Sequence, residues 1–142
     1  MNLTENQTTE FKREYIDDIK KTVIAFANTA GGRIYIGIAD NGEAVGVSDA
    51  DEVVLKASNA VRDSIRPDVT MFVSYQIDKI DDKDVVVLNI QKGTASPYYL
   101  ESKGIRPSGV YVRQGASSVP ATETAILKMI KDTDGDKYEE IR

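Results

Sequence analysis

Between Ile16 and Ile38 the apolar residues change their spacing, and the change falls on two glycines. Ile16, Ile19, Val23 and Phe26 recur at helical spacing with Asp17, Asp18, Lys20 and Lys21 opposite, which predicts an amphipathic helix over about Glu14–Asn28. Gly31-Gly32 gives that helix its stop, because glycine takes the left-handed cap conformation without a Cβ penalty. Ile34, Ile36 and Ile38 then alternate with Tyr35 and Gly37, the pattern of a strand. The chain therefore holds both element types in close succession.

The same reading extends downstream. Asp40-Asn41-Gly42 is a hairpin turn signal, with Ala44–Val47 expected as the return strand. Ser48 or Asp49 is placed to cap a second helix with Asp51 and Glu52 in its first turn. Val54, Ala57, Val61 and Ile65 line one face of it, and Arg66-Pro67 ends it. Val69 to Ile77 alternates as a half-buried strand, and the Val85-Val86-Val87-Leu88 run predicts a strand covered on both sides. A loose Gly-, Ser- and Pro-containing stretch, Lys92–Ser108, precedes a short strand at Val110–Arg113. Pro120–Asp132 reads as a last helix with Ile126, Leu127 and Ile130 inward. The sum is an α+β fold: a mixed, largely antiparallel sheet with about three packed helices. Residues 1–132 are expected to form one domain and 133–142 a linker toward a further C-terminal region.

Composition narrows the chemistry. The 142 residues contain no His and no Cys. Ser-His-Asp and Cys-His catalysis are excluded, as are disulfides, thiolate zinc sites and His-ligated metals. A metal here would need oxygen ligands, which favours hard ions such as Mg²⁺, Mn²⁺ or Ca²⁺. No stretch approaches the roughly 20 apolar residues of a membrane helix, and Met1–Gln7 lacks the features of a signal peptide. A cytoplasmic protein with no membrane partner is the expectation. The net charge of −5 argues against strong, free-standing nucleic-acid binding unless a local basic face exists.

Several ordered segments carry a resemblance: Glu10-Phe11-Lys12; Ala25-Phe26-Ala27-Asn28-Thr29 with Gly31-Gly32; Ile36-Gly37-Ile38 with Asp40; Val45-Gly46-Val47; Pro97-Tyr98-Tyr99; and Gly109-Val110-Tyr111-Val112-Arg113 with Gly115 and Ser117. Together, over about Glu5–Lys131, they resemble the Schlafen-type AlbA-like domain found in microbial transcriptional regulators. The resemblance implies a nucleic-acid-binding domain, usually assigned to DNA. In animal Schlafen members it also implies an RNA-cleaving site of three acidic residues. Glu5, Glu10 and Asp40 fall on those places. Ala39 departs from the pattern, where the family often has an acid.

Two functional readings follow. The first is nucleic-acid binding, DNA or possibly RNA, by the N-terminal domain of a transcriptional regulator that works as a homo-oligomer and needs no cofactor. Lys103, Arg106 and Arg113 are its main candidates, extended by Lys12, Arg13 and Arg33, with Tyr98, Tyr99 and Tyr111 offering rings for stacking. Glycines and serines around them are expected to leave backbone N–H groups free for phosphate. The alternative is a metal-dependent RNA endonuclease in which Glu5, Glu10 and Asp40 hold Mg²⁺ or Mn²⁺ and Lys12 meets the charge that develops on phosphate. Against it, Glu10 pairs with a neighbouring base and Asp40 merely opens a turn. Gly31-Gly32 lacks the P-loop pattern and follows a helix, so no ATP site is expected.

Overall fold

A computed structural model describes the backbone of residues 4–141 and the side chains of residues 4–135. Three helices pack with mixed, largely antiparallel sheets in an α+β fold. The main sheet has the order β1 (Thr9–Lys12), β2 (Gly32–Ile36), β5 (Lys83–Ile90), β4 (Val73–Ile80); β1 runs parallel to β2 and the other pairs are antiparallel. Helix α1 (Ile19–Asn28) joins β1 to β2, and α2 (Ala50–Ser64) leads into the short strand β3 (Ile65–Arg66). β3 pairs with β6 (Tyr99–Leu100). A hairpin of β7 (Tyr111–Gln114) and β8 (Ser117–Pro120) precedes α3 (Glu123–Ile141).

The alternation in β5 divides the core between the two faces of the sheet. Val86, Leu88 and Ile90 pack with Ile34, Ile36 and the buried faces of α1 and α2. Val85 and Val87 point the other way and pack with Phe11, Tyr35 and Ile38. This is the doubly covered strand that its apolar run predicts. The two central residues of the β4–β5 turn, Asp81 and Asp82, both have positive φ (51° and 64°), the geometry of a two-residue hairpin turn that aspartate tolerates.

The Gly31-Gly32 stop forms as expected. Gly31 has φ +73°, and its N–H donates to Phe26 C=O at 2.8 Å. A Cβ on Gly32 would lie 2.7 Å from the Phe26 ring, so this glycine is required by packing. Asp49 caps α2 by accepting from Glu52 N–H at 3.1 Å.

Other boundaries differ. α1 starts at Ile19 rather than Glu14, because residues 13–18 carry the chain from the sheet edge to the helix layer; Ile16 is left exposed. The return strand expected at Ala44–Val47 shrinks to one bridge between Ile38 and Ala44. Gly37 and Gly46 take positive φ (113° and 74°), and Gly37 C=O accepts from both Val45 and Gly46, so no ladder continues. Thr70–Phe72 is a 3-10 turn fixed by the Asp68 carboxylate, and β4 begins only at Val73. In α3, Leu127 faces solvent while Ile126 is buried. That helix also runs past Asp132 to Ile141, through the segment expected to be a linker. It holds no proline, and its one glycine, Gly135, costs only about 1 kcal/mol relative to alanine.

Candidate functional site

The acidic candidates gather around the free edge of β1. β1 pairs with β2 through Thr8 C=O and Lys12 C=O, which accept from Arg33 and Gly37. The alternation then turns the backbone groups of Thr9 and Phe11 to the open edge. Glu5 reaches back so that its Oε2 accepts from Phe11 N–H at 3.1 Å. Thr9 N–H donates to Asn6 C=O at 3.3 Å. Arg113, from β7, completes the edge: Nη2 donates to Asn6 C=O at 2.9 Å and to Thr9 C=O at 3.1 Å. Its Nη1 donates to Glu10 Oε1 at 2.7 Å and to Ser118 Oγ at 3.1 Å.

Phe11 points into the core, and Glu10 and Lys12 share the opposite face, as an extended Glu-Phe-Lys requires. The second Glu10 oxygen has Lys12 Nζ at 3.9 Å. Glu5 lies beside Glu10. Burial, followed by the Glu10 carboxylate, raises the pKa of Glu5 above the ordinary value; the Phe11 amide and the Arg113 guanidinium offset part of this. Glu5, Glu10 and Asp40 do line one open cleft of about 540 Å³, together with Lys12, Arg13 and Glu14. They do not converge on a metal position. Among the described residues no three acidic side chains are placed to hold an ion. Glu10 is engaged by Arg113 and Lys12, Glu5 by the Phe11 amide, and Asp40 is exposed. The donor set as arranged does not fit Mg²⁺ or Mn²⁺, which demand several convergent oxygens.

The basic candidates are dispersed. Arg113 is the main correction: its side chain is fully buried, and its guanidinium lies 4.8 Å from the centre of the Phe26 ring, so it cannot meet phosphate. Arg33 aligns with Thr9 and shares the sheet face of Tyr35, whereas Lys12 aligns with Ile36 on the opposite face. Lys12 and Arg13 line the acidic cleft. Lys103 and Arg106 are exposed on the turn after β6. The glycines around that turn do not offer free N–H groups: Gly104 and Gly109 donate within it, as do Lys103, Arg106 and Val110, and Gly115 N–H donates to Gln7 Oε1. Tyr98 and Tyr111 are buried in the core, which removes them as stacking platforms; Tyr99 is half-buried.

Asn28 and Thr29, which carry no charge and no catalytic pattern, fix this region. Asn28 Nδ2 donates to Tyr98 C=O and to Tyr111 C=O, each at 3.0 Å, and Oδ1 accepts from Tyr98 N–H at 2.8 Å. Thr29 Oγ1 accepts from Arg113 N–H at 2.9 Å. The signal was an amide and a hydroxyl at the end of a helix whose preceding six residues are all buried.

The ordered motifs thus meet in one network, joining Glu10 to Arg113 and Asn28–Thr29 to β7. The family model described as Schlafen, AlbA_2 matches residues 5–122. The chain belongs to the Schlafen AlbA_2 family. Membership gives this Schlafen AlbA_2 domain a nucleic-acid-related role. Its fold is similar to that of the N-terminal domain of a RecG-related protein from Nitrosomonas europaea, with TM-score 0.55 and 24% identity over 81% of this chain and 82% of that one. It is also similar to part of the DIP2311 protein from Corynebacterium diphtheriae, with TM-score 0.61 and 20% identity over 81% of this chain but only 22% of that one. At these identities the two structures speak for the fold alone. None of the curated proteins matches the chain. No helix among the described residues is long and apolar enough to cross a membrane.

Proposed function

We propose that this domain binds nucleic acid, DNA in the first place, as the N-terminal module of a transcriptional regulator. The observation that carries the reading is the turn bearing Lys103 and Arg106. Both side chains are exposed, neither has a carboxylate within ion-pair distance among the described residues, and backbone bonds at Lys103, Gly104, Arg106, Gly109 and Val110 hold the turn in shape. Glu101, the one acid between Tyr98 and Ser118, is paired with Arg66 at 2.9 Å. Such contacts meet phosphates and give affinity without reading bases. Arg33, Lys12 and Arg13 are supplementary, since Lys12 and Arg13 face an acidic cleft.

The test is fluorescence anisotropy on duplex DNA and structured RNA across a salt series. Binding is expected to weaken steeply with salt. Two phosphate contacts contribute roughly −1.8 to the log–log slope on DNA, so Lys103→Glu with Arg106→Glu is expected to flatten it by about that amount. Salt-independent binding, or an unchanged slope in the double variant, rejects the reading. Tighter binding to RNA would replace DNA as the ligand.

One observation favours a second reading, RNA cleavage: Glu5, Glu10 and Asp40 line the same cleft. It requires Glu10 to leave Arg113. Incubating structured RNA with Mn²⁺ tests it. Cleavage lost in Glu5→Gln and in Asp40→Asn supports it, and intact RNA rejects it.

A further inference from the structure

The main sheet has two edges, and they are finished differently. At β1 the outward N–H and C=O of Thr9 and the outward N–H of Phe11 are met by Asn6, Arg113 and Glu5. At β4 the corresponding groups are not. Gln91 N–H donates to Phe72 C=O, and the register pairs Val73 with Ile90. Ser74, Gln76, Asp78 and Ile80 therefore face β5 with their backbone groups, and Val73, Tyr75, Ile77 and Lys79 face outward. Val73 N–H is taken by Thr70 C=O. Among the described residues no strand other than β5 pairs with β4, and its outward groups at Tyr75, Ile77 and Lys79 have no backbone partner. Nor does the strand carry the usual protection of an edge: it has no proline and no bulge across eight residues, and one lysine near its end.

We propose that β4 pairs antiparallel with β4 of a second copy of this chain about a two-fold axis at Gln76, making one eight-stranded sheet. The outward set is self-complementary about that point. Val73 meets the partner's Lys79 through its open C=O, and Tyr75 meets the partner's Ile77, so that every outward residue finds a partner within the strand. Between them, Ser74 opposes the partner's Asp78 and Gln76 opposes the partner's Gln76. No like charges face each other. Centring the axis on Asp78 would set two aspartates directly opposite, which is destabilising. The side chains agree with the register: Ile77 is 44% exposed on the face that its neighbours Val73 and Tyr75 pack against the core. An aromatic opposite a β-branched residue is among the favourable cross-strand pairs. This pairing is independent of the nucleic-acid reading.

The absence of cysteine makes the test clean. In the proposed register Gln76 and its copy form a non-hydrogen-bonded pair with Cα atoms about 4.5 Å apart, within disulfide reach. Sedimentation over a concentration series is expected to show a reversible monomer–dimer equilibrium. Under mild oxidation Gln76→Cys is expected to cross-link to a covalent dimer, while Ser74→Cys, opposite Asp78, stays monomeric on a denaturing gel. Ile77→Pro removes an outward donor and leaves the β5 ladder untouched, so it is expected to abolish the dimer with an unchanged circular dichroism spectrum. A monomer at every concentration overturns the proposal. So does a dimer that persists in folded Ile77→Pro, or a Gln76→Cys chain that cross-links no better than Ser74→Cys. If Ile77→Pro fails to fold, the cysteine pair decides.

Discussion

Arg113 Nη1 lies 2.7 Å from Glu10 Oε1, joining residues 103 positions apart, and the arginine side chain has no exposure to solvent. The contact welds β7 to the edge of β1. Glu10→Gln would leave the guanidinium buried without its counter-charge, and such breakage costs about 3–5 kcal/mol. Arg113→Lys is expected to fall in the same range, because one ammonium has three donors where the guanidinium spends four bonds on Glu10, Ser118, Asn6 and Thr9. Replacing both charges, Glu10→Leu with Arg113→Met, is expected to cost less than either single change. Urea unfolding of the parent chain, Glu10→Leu, Arg113→Met and the double variant gives the cycle. Additive losses would show that the two charges do not act as a pair.

Asn28 is a second weld, from the end of α1 to β7 and to the segment before β6. Its amide satisfies two carbonyls and one N–H. Asn28→Asp keeps the size but turns the donor into an anion facing Tyr98 C=O and Tyr111 C=O. Leaving such buried groups unmatched costs about 1–3 kcal/mol each, so a loss of roughly 3 kcal/mol or more is expected by urea unfolding. Asn28→Asp is expected to be worse than Asn28→Ala, an order that a mere loss of volume would reverse.

These two welds mark where the sequence stops being legible. Period and punctuation are local, so α2 with its Asp49 cap, the Gly31-Gly32 stop and the doubly buried β5 can be read from neighbours in the chain. Glu5, Glu10 and Asp40 line one cleft without converging. Arg113 is different. A strand of Tyr-Val-Arg-Gln looks half exposed, and only packing against α1 and β1 turns its arginine inward. Whether Tyr98 and Tyr111 offer rings for stacking or belong to the core is open in the sequence for the same reason, since their burial depends on elements far away in the chain. The short return strand expected after Asn41-Gly42 fails because Gly37 and Gly46 bend the backbone, a tertiary demand that an Asn-Gly signal does not report.

Glu5 is expected to oppose the fold at neutral pH. Its pKa is raised, chiefly by burial and then by the Glu10 carboxylate, so the folded state favours its neutral form. A raised acid contributes stability below its unfolded value, and that contribution is lost as pH rises through the folded value. Glu5→Gln keeps an oxygen for Phe11 N–H and removes the charge. Its melting temperature is therefore expected to exceed that of the parent chain by a few degrees at pH 7. The gap should close as pH falls below the ordinary carboxylate value of 4.5. A lower melting temperature at pH 7 would mean that the Glu5 charge itself holds the β1 edge.

Tyr75 contributes to stability at alkaline pH. On β4 it packs against the main core, and burial pushes its hydroxyl from the ordinary value of 10 up to about 12. The folded protein therefore binds more protons than the unfolded chain between those two values. Where that holds, stability falls as pH rises. The contribution of Tyr75 is fully present below pH 10 and is lost progressively toward pH 12. The informative quantity is the difference between the parent chain and Tyr75→Phe. Phenylalanine keeps the ring and cannot ionise. Urea unfolding from pH 8 to about pH 12 is expected to show parallel curves at first. Above pH 10 the parent chain should lose stability faster than Tyr75→Phe, and the two should diverge steadily. Curves that stay parallel throughout would place the Tyr75 hydroxyl in water rather than against the core.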